Sequence, residues 1–343
     1  SLPFSLPTGF SIGIFAKKLN GARDLEFASD GTLFVSLTSP GKIVALADTK
    51  NNGTADKIKD LITGLKNPHG LAFRDGKLYV AEEKGVSSYD WDEKNWTLTN
   101  KKLLFSLHSG GRHFTRTLVF DKSGKLYISI GSTCDVCFEK NPMNGSILIS
   151  DPAGSTPRIF AKGLRNSVFI TLNQKTDEIW ATEMGRDWLG DDAPPDEVNI
   201  ARDGKDYGWP ICYGDKIHDT NFDSRVYVRD PCEASQSPIF EIPAHSAPLG
   251  LTFIDSKQFP SNWQGDLLVA YHGSWNRSVP SGYKVVHMKV KDSQILSEED
   301  FLTGFLHGNQ AFARPVDLVF DKAGSLYVSD DKAGYIFKII GVK

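Results

Sequence analysis

One phrase recurs six times along the chain: an apolar triplet, a turn, then a strand of the Leu-Tyr-Val-Ser type. Four copies are close. They run Leu25-Glu26-Phe27 to Leu33-Phe34-Val35-Ser36, Leu71-Ala72-Phe73 to Leu78-Tyr79-Val80, Leu118-Val119-Phe120 to Leu126-Tyr127-Ile128-Ser129, and Leu318-Val319-Phe320 to Leu326-Tyr327-Val328-Ser329. Two looser copies are Val168-Phe169-Ile170 to Ile179-Trp180 and Leu251-Thr252-Phe253 to Leu267-Leu268-Val269. The triplets start 46, 47, 50, 83 and 67 residues apart. The first three intervals match the period of roughly 40–50 residues of a four-stranded propeller blade. Strand signals dominate and amphipathic helices are absent, so the phrase predicts an all-β, six-bladed β-propeller of four-stranded antiparallel blades. Radial closure of such short strands removes exposed sheet edges. The last strand, Gly334 to Ile339, is expected to meet residues 9–16 and close the ring. Insertions are expected at about 183–247 and 272–310, the second with a helix-like patch at Glu298-Glu299-Asp300. No linker divides the chain, so residues 1–343 read as one propeller domain.

What precedes each copy is functional in character: Arg23, His69, His113 with Arg116, Arg165-Asn166, His245, and Arg314. The innermost strand of a blade runs along the central channel, so residues ahead of it gather at one mouth. Any one such group is ordinarily solvated or satisfied locally. Six equivalent ones predict a shared cationic cleft, suited to a small planar polyanion because guanidinium bonds carboxylates bidentately.

That charge has to be local. Lys and Arg number 39 against 42 Asp and Glu, a net −3, which points to no nucleic-acid or acidic-membrane partner. No apolar run reaches the roughly 18–20 residues of a membrane-spanning helix. The chain opens Ser1-Leu2-Pro3-Phe4 without a basic-plus-apolar leader, so the sequence reads as a mature or trimmed product. Cys212 and Cys232 would close a loop of about twenty residues, a bridge worth roughly 3 kcal/mol. Cys134-Asp135-Val136-Cys137 fits a small loop disulfide, the preferred reading, or a redox or metal pair. The stretch Glu183-Met184-Gly185-Arg186-Asp187, with Asp191-Asp192 and Asp196-Glu197-Val198-Asn199, is rich in oxygen donors. It can be a solvated acidic loop or a hard-cation site, with Ca²⁺ favoured by the irregular spacing.

At this level the chain resembles the soluble quinoprotein sugar dehydrogenases that use pyrroloquinoline quinone (PQQ), in particular the sorbosone and pyranose dehydrogenase branch. The resemblance covers nearly the whole chain. It rests on Gly111-Arg112-His113-Phe114-Thr115-Arg116-Thr117, Gly163-Leu164-Arg165-Asn166, Asp196-Glu197-Val198-Asn199 to Tyr207-Gly208-Trp209-Pro210, His245-Ser246-Ala247-Pro248-Leu249-Gly250, His272-Gly273-Ser274-Trp275-Asn276-Arg277 and Arg314-Pro315-Val316-Asp317. It implies that His113 is the general base for C1 oxidation of a sugar while the hydride passes to the quinone C5. It further implies that Arg165 stabilises the reduced quinone and that Asn166 holds its face. Calcium is implied at the backbone oxygens of Gly185 and Arg186. His69, His245, Arg314 and Arg23 are expected around the rest of PQQ, with Trp275, Asn276 and Arg277 also assigned to it. The branch further implies a secreted protein, extracellular or periplasmic, and a cytochrome or other electron acceptor. Thr115-Arg116-Thr117 stands where many bacterial aldose enzymes have Gly-Gly-Arg, and His69 where they have Gln. Glucose specificity is therefore not implied. Two other readings compete: a calcium-dependent lactonase or esterase propeller, which needs channel carboxylates around a metal, and a non-catalytic extracellular binding propeller.

Overall fold

The computed structural model describes residues 2–153 and 155–342. Six antiparallel sheets follow one another as blades. Blade 1 is Ala22–Phe27, Leu33–Leu37, Lys42–Ala47 and Lys57–Ile62; blade 2 is Leu71–Arg74, Lys77–Glu82, Gly85–Asp92 and Thr97–Ser106. Blade 3 is Leu118–Phe120, Leu126–Ile130, Ser146–Ser150 and Arg158–Lys162, with the short Lys205–Asp206 added in parallel. Blade 4 is Ile170–Asn173, Glu178–Glu183, Asp196–Ala201 and Phe240–Ile242, and blade 5 is Pro248–Phe253, Leu267–Tyr271, Lys284–Lys291 and Gln294–Leu302. Blade 6 takes Pro315–Phe320, Leu326–Asp330 and Ile336–Gly341 from the end of the chain and Phe10–Ala16 from its start. Ile12 stands opposite Ile339 and Ile14 opposite Phe337, the ring closure the sequence predicts.

The recurring phrase is the first two strands of each blade. The second strand is sandwiched between neighbouring blades, so it is buried on both faces and reads as an unbroken apolar run; Leu33–Leu37 and Leu126–Ile130 have no exposed residue. The core accordingly lies between blades. Phe15, Leu25, Val35, Tyr327 and Ile336 fill the seam of blades 6 and 1, and Phe34, Ile43, Leu71 and Val80 that of blades 1 and 2. The phrase's closing serine has its own task. Ser36, Ser129 and Ser329 each accept a hydrogen bond from a backbone N–H twelve residues earlier, at Asp24, Thr117 and Asp317. In blades 1 and 6 this lies where the first strand slips register. Ser329 also donates to the Arg23 carbonyl of the next blade, at 2.5 Å.

Two expectations need correction. The stretches 183–247 and 272–310 are not simply insertions, because they hold the outer two strands of blades 4 and 5. The Glu298-Glu299-Asp300 patch lies inside strand Gln294–Leu302, an outer strand whose charged side chains face solvent and an ion partner such as Lys284. Among the described residues the one helical element is a 3₁₀ turn at Ser261–Trp263. No helix is long and apolar enough to cross a membrane. Both cysteine pairs, 134–137 and 212–232, are disulfides, which decides between the readings of Cys-x-x-Cys.

Carboxylates lace the innermost strands together. Asp317 accepts from Leu25 N–H, Asp24 from Leu71 N–H and Glu26 from Phe73 N–H, each reaching into the following blade. Burial, and for Asp24 the neighbouring Asp317, push these acids up: Glu26 to about 8, Asp317 to about 7 and Asp24 well above its usual range. The unfolded chain ionises them near pH 4, so between about pH 4 and 8 the folded state binds more protons and their contribution to stability declines as pH rises. We therefore expect the urea midpoint to fall from pH 5 to pH 8, with a shallower slope in Asp24→Asn. A midpoint that rises over that window in both proteins would contradict this.

Candidate functional site

The starts of blades 3, 4 and 5 converge on a cavity of about 260 Å³. Arg112 and His113 precede blade 3, Arg165 and Asn166 precede blade 4, and His245 precedes blade 5; Met184, Gly185 and Asp187 come from the loop after Glu178–Glu183, and Trp275 and Asn276 from the loop after Leu267–Tyr271. Glycine permits the approach at two points. A Cβ on Gly131 would sit 2.5 Å from that of His113 and 3.0 Å from Asn166 Oδ1. One on Gly185 would sit 2.7 Å from the Pro194 ring and 2.8 Å from the Pro195 carbonyl.

His113 is held in one tautomer. Its Nδ1 lies 2.8 Å from Ser132 Oγ, and Ser132 Oγ lies 2.6 Å from the carbonyl of Cys134. A carbonyl only accepts, and a serine hydroxyl has one proton to give. The serine therefore donates to Cys134 and accepts from Nδ1–H. That leaves the Nε2 lone pair of the neutral ring free, and among the described residues Nε2 has no partner. Burial first, then the positive charges of Arg165 and Arg112, push the imidazole down to about 2, so it is neutral at working pH.

Arg165 is committed to the protein. A guanidinium carries five N–H donors. Nε donates to the Asp135 carbonyl (2.8 Å), Nη1 to the carbonyls of Met184 (3.2 Å) and Gly185 (2.9 Å), and Nη2 to Asp135 Oδ1 (2.7 Å) and Asp187 Oδ2 (3.3 Å). All five donors are used, on a side chain 4% exposed. Asp187 also accepts from Arg112 Nη2 at 2.6 Å and from Asn276 Nδ2 at 2.8 Å. Arg112 is the contrasting case: its side chain is 41% exposed, and among the described residues its Nε and Nη1 have no acceptor. Asn166 Oδ1 is buried without any hydrogen-bond donor. His245 directs Nε2 at the Gly190 carbonyl (2.8 Å) from a backbone with φ of 63°, a conformation uncommon for a non-glycine residue and often held at binding sites.

The other strand-start residues do not line this cavity. Arg23 pairs with Asp331 at 2.8 Å, and His272 holds the other oxygen of that carboxylate. Arg314 donates to the carbonyls of His272 and Gly273 and lies over the Tyr283 ring. His69 is fully buried against Phe169 and Thr117, with its Nε2 unpartnered. Arg116 is buried too, donating to the carbonyls of His108, His113 and Thr115. Arg277 braces the rim through Asp192 and the carbonyls of Asp191 and Ala244. The Arg186 side chain turns to Asp219 at 2.8 Å. The expected open ring of cations is thus largely tied up within the protein: Arg23 and Arg165 meet carboxylates, and Arg116 and Arg314 spend donors on backbone carbonyls.

Sequence reasoning gave no role to Asp135, Ser132 or Arg112, and named Asp187 only within an oxygen-donor stretch, not as the partner of Arg165 and Arg112. Arg112 and Ser132 carried a usable signal, since both flank strand starts or ends already singled out. The lactonase reading needs carboxylates converging on an ion. Among the described residues the only trio of metal-type donors close enough is Cys134, Cys137 and Glu139, and its two cysteines are joined.

Comparison with known proteins follows the same line. An uncharacterized protein of Borreliella burgdorferi is 31% identical, over 97% of this chain and 90% of its own length. The pyrroloquinoline quinone-dependent pyranose dehydrogenase of Coprinopsis cinerea is 26% identical over 98% of this chain; the chain spans 54% of that relative's length. The solved holo form of the Coprinopsis cinerea pyranose dehydrogenase PQQ domain matches with a TM-score of 0.84 at 23% identity, over 98% of this chain and 97% of that one, a likeness of fold. The model of the TrAA12-like family matches residues 4–341, six blades and cavity included: the chain belongs to the TrAA12-like family.

Proposed function

We propose that this chain is a PQQ- and calcium-dependent dehydrogenase that oxidises a pyranose or related aldose, or a sugar aldehyde such as sorbosone, at C1. The observation that carries the reading is the cavity wall. A neutral imidazole with a free Nε2 stands beside the Arg112 guanidinium, whose Nη2 is held by Asp187 while Nε and Nη1 stay open, and a buried amide oxygen on Asn166 that has no donor among the described residues. A buried acceptor without a donor is costly and marks a place where a ligand donor belongs. An anionic quinone carrying ring N–H and carboxylate groups fits that set. Arg112, Asn166, His245 and Asn276 would hold it, and Gly185 and Arg186 would offer backbone oxygens to calcium. The Gly185 carbonyl already accepts from a cationic group, Arg165, and a carbonyl keeps a second lone pair. When bound, PQQ supplies a two-electron acceptor and calcium a Lewis acid.

The chain's own residues supply the rest. His113 Nε2 takes the proton of the anomeric hydroxyl, as a positioned base must. Burial first, and then the charges of Arg165 and Arg112, make this imidazole a weak base. An anionic ligand beside Arg112 and Arg165 offsets the charge part of that shift and raises its basicity. Arg165, with no spare donor, acts through its charge and by fixing the loop of Met184 to Asp187 rather than as a hydrogen-bonding ligand.

Ser132→Ala removes the acceptor that fixes the tautomer. We expect kcat to fall roughly tenfold, about the worth of one hydrogen bond, with KM little changed. Imidazole ¹⁵N spectra should show mixed tautomers. An unchanged kcat with a single tautomer would remove Ser132 from this role. Adding PQQ and Ca²⁺ to the protein should yield an activity that bleaches an artificial dye with an aldose, and no bleaching across a broad sugar panel would overturn the function. Two disulfides suit an oxidising compartment, so the protein is read as secreted, delivering electrons to a cytochrome or another acceptor.

A further inference from the structure

At the rim of the cavity two tryptophans stand in the open. Trp188 is 68% exposed and Trp275 60%, and their rings meet edge to face, with centroids 5.4 Å apart and planes at 78°. Exposed indoles beside a pocket are uncommon on a protein surface and mark binding sites. Nothing in the proposed chemistry requires Trp188, which lies outside the cavity lining.

The pair is built rather than incidental. Asn276 donates to Asp187, Arg277 to the Asp191 carbonyl and to Asp192, and the Ser278 N–H to the Asp191 carboxylate. These bonds strap the loop 187–192 to the loop 275–278, one from each side of the rings. Trp188 itself has a φ of 69°, strained for a bulky residue, and the straps on either side of it hold it there. The result is two exposed indoles set nearly at right angles on two strapped loops, with Asp191 and Asp192 a few residues along the chain from Trp188.

A parallel slot would suit a flat aromatic ligand. A right-angled corner suits a puckered ring that has one apolar C–H face and a rim of hydroxyls, and the nearby carboxylates and guanidinium suit those hydroxyls. The cavity volume of about 260 Å³ falls at the small end of ligand pockets, which run about 300–1,000 Å³. On the proposed reading that space belongs to the cofactor and the ring being oxidised, so a second sugar ring lies on the rim. We propose that the Trp188–Trp275 corner is a carbohydrate subsite that stacks the ring next to the one being oxidised, so that the substrate class takes in the reducing end of an oligosaccharide. This rests on the sugar-oxidising reading for its biological sense, but not for its test.

The test uses binding without turnover. Oligosaccharides reduced at C1 to alditols cannot be oxidised, and their binding to the cofactor-free protein is read from tryptophan fluorescence and calorimetry. Cello-, malto- and xylo-series alditols of two to four units are compared with the single-unit alditols. We expect at least one series to bind with a fluorescence change that the single-unit alditol does not produce. Trp188→Ala should weaken that binding roughly tenfold, the size expected for a lost aromatic face, while Trp188→Phe recovers part of it. Because Trp188 is exposed, circular dichroism should confirm that both variants fold. Absence of binding in all three series, or equal binding by Trp188→Ala, would overturn the subsite. Binding without any dye bleaching by the loaded protein would instead overturn the oxidation and leave the subsite standing.

Discussion

His113→Ala should retain PQQ and lose roughly 10²–10⁴ in turnover, the usual worth of a positioned general base. Binding should survive because the donors free to hold an anion are those of Arg112, and the orphaned acceptor is Asn166. The loss should fall on kcat and on kcat/KM alike, the pattern of an interaction made in the transition state. Small imidazoles added in solution should restore part of the rate, since the truncation vacates the volume of the ring itself. Turnover within threefold of the parent protein would remove His113 from the mechanism, whatever the fate of the cofactor.

Arg165→Ala is expected to act on the fold as much as on the chemistry. The substitution strips five hydrogen bonds at once and leaves the carboxylates of Asp135 and Asp187 without their buried cation. Breaking a buried pair by removing one partner typically costs about 3–5 kcal/mol, a large share of the roughly 5–15 kcal/mol that holds a protein folded. Lysine should not substitute, because a compact ammonium cannot fill a five-donor fork. Arg165→Met with Asp135→Asn should recover part of the loss, since the second change removes one uncompensated charge. The denaturant midpoint measures this, and a loss below about 1 kcal/mol in Arg165→Ala would show that the guanidinium is not the strut described.

How much of this could be read beforehand divides along a physical line. Local, repeated signals were legible. The Leu-Tyr-Val-Ser strands are apolar on both faces because blades cover both sides, and so the six copies announced six blades. Of the basic strand starts, His113, Arg165, Asn166 and His245 meet at one cavity, while Arg23, His69, Arg116 and Arg314 lie outside its lining. What the pattern could not reveal was their partners. Arg23 is neutralised by Asp331, 308 positions away, and Arg165 by Asp135 and Asp187, 30 and 22 positions away. A charge in a sequence looks free until the fold supplies its acceptors, whether a carboxylate as for Arg23 and Arg165 or backbone carbonyls as for Arg116 and Arg314. The guanidinium with donors to spare is that of Arg112, paired to Asp187 through Nη2 alone, which lies beside the expected base and outside the repeating phrase. The outer strands of blades 4 and 5 were hidden for a different reason: Asp196–Ala201 is buried throughout yet carries Asp, Glu and Asn, and Gln294–Leu302 is largely solvated, so neither shows the apolar run that identifies the inner strands.

The central claim is that this cavity passes two electrons from a sugar to bound PQQ with His113 as base. Its most direct measurement is the absorption spectrum of the PQQ- and Ca²⁺-loaded protein, mixed anaerobically with a single aldose and no other acceptor. The account predicts stoichiometric conversion of the bound cofactor to its reduced spectrum in the parent protein, and conversion slowed by roughly 10²–10⁴ in His113→Ala. A loaded protein whose cofactor spectrum is unaltered by every sugar offered, or one whose reduction is as fast without His113, would contradict it.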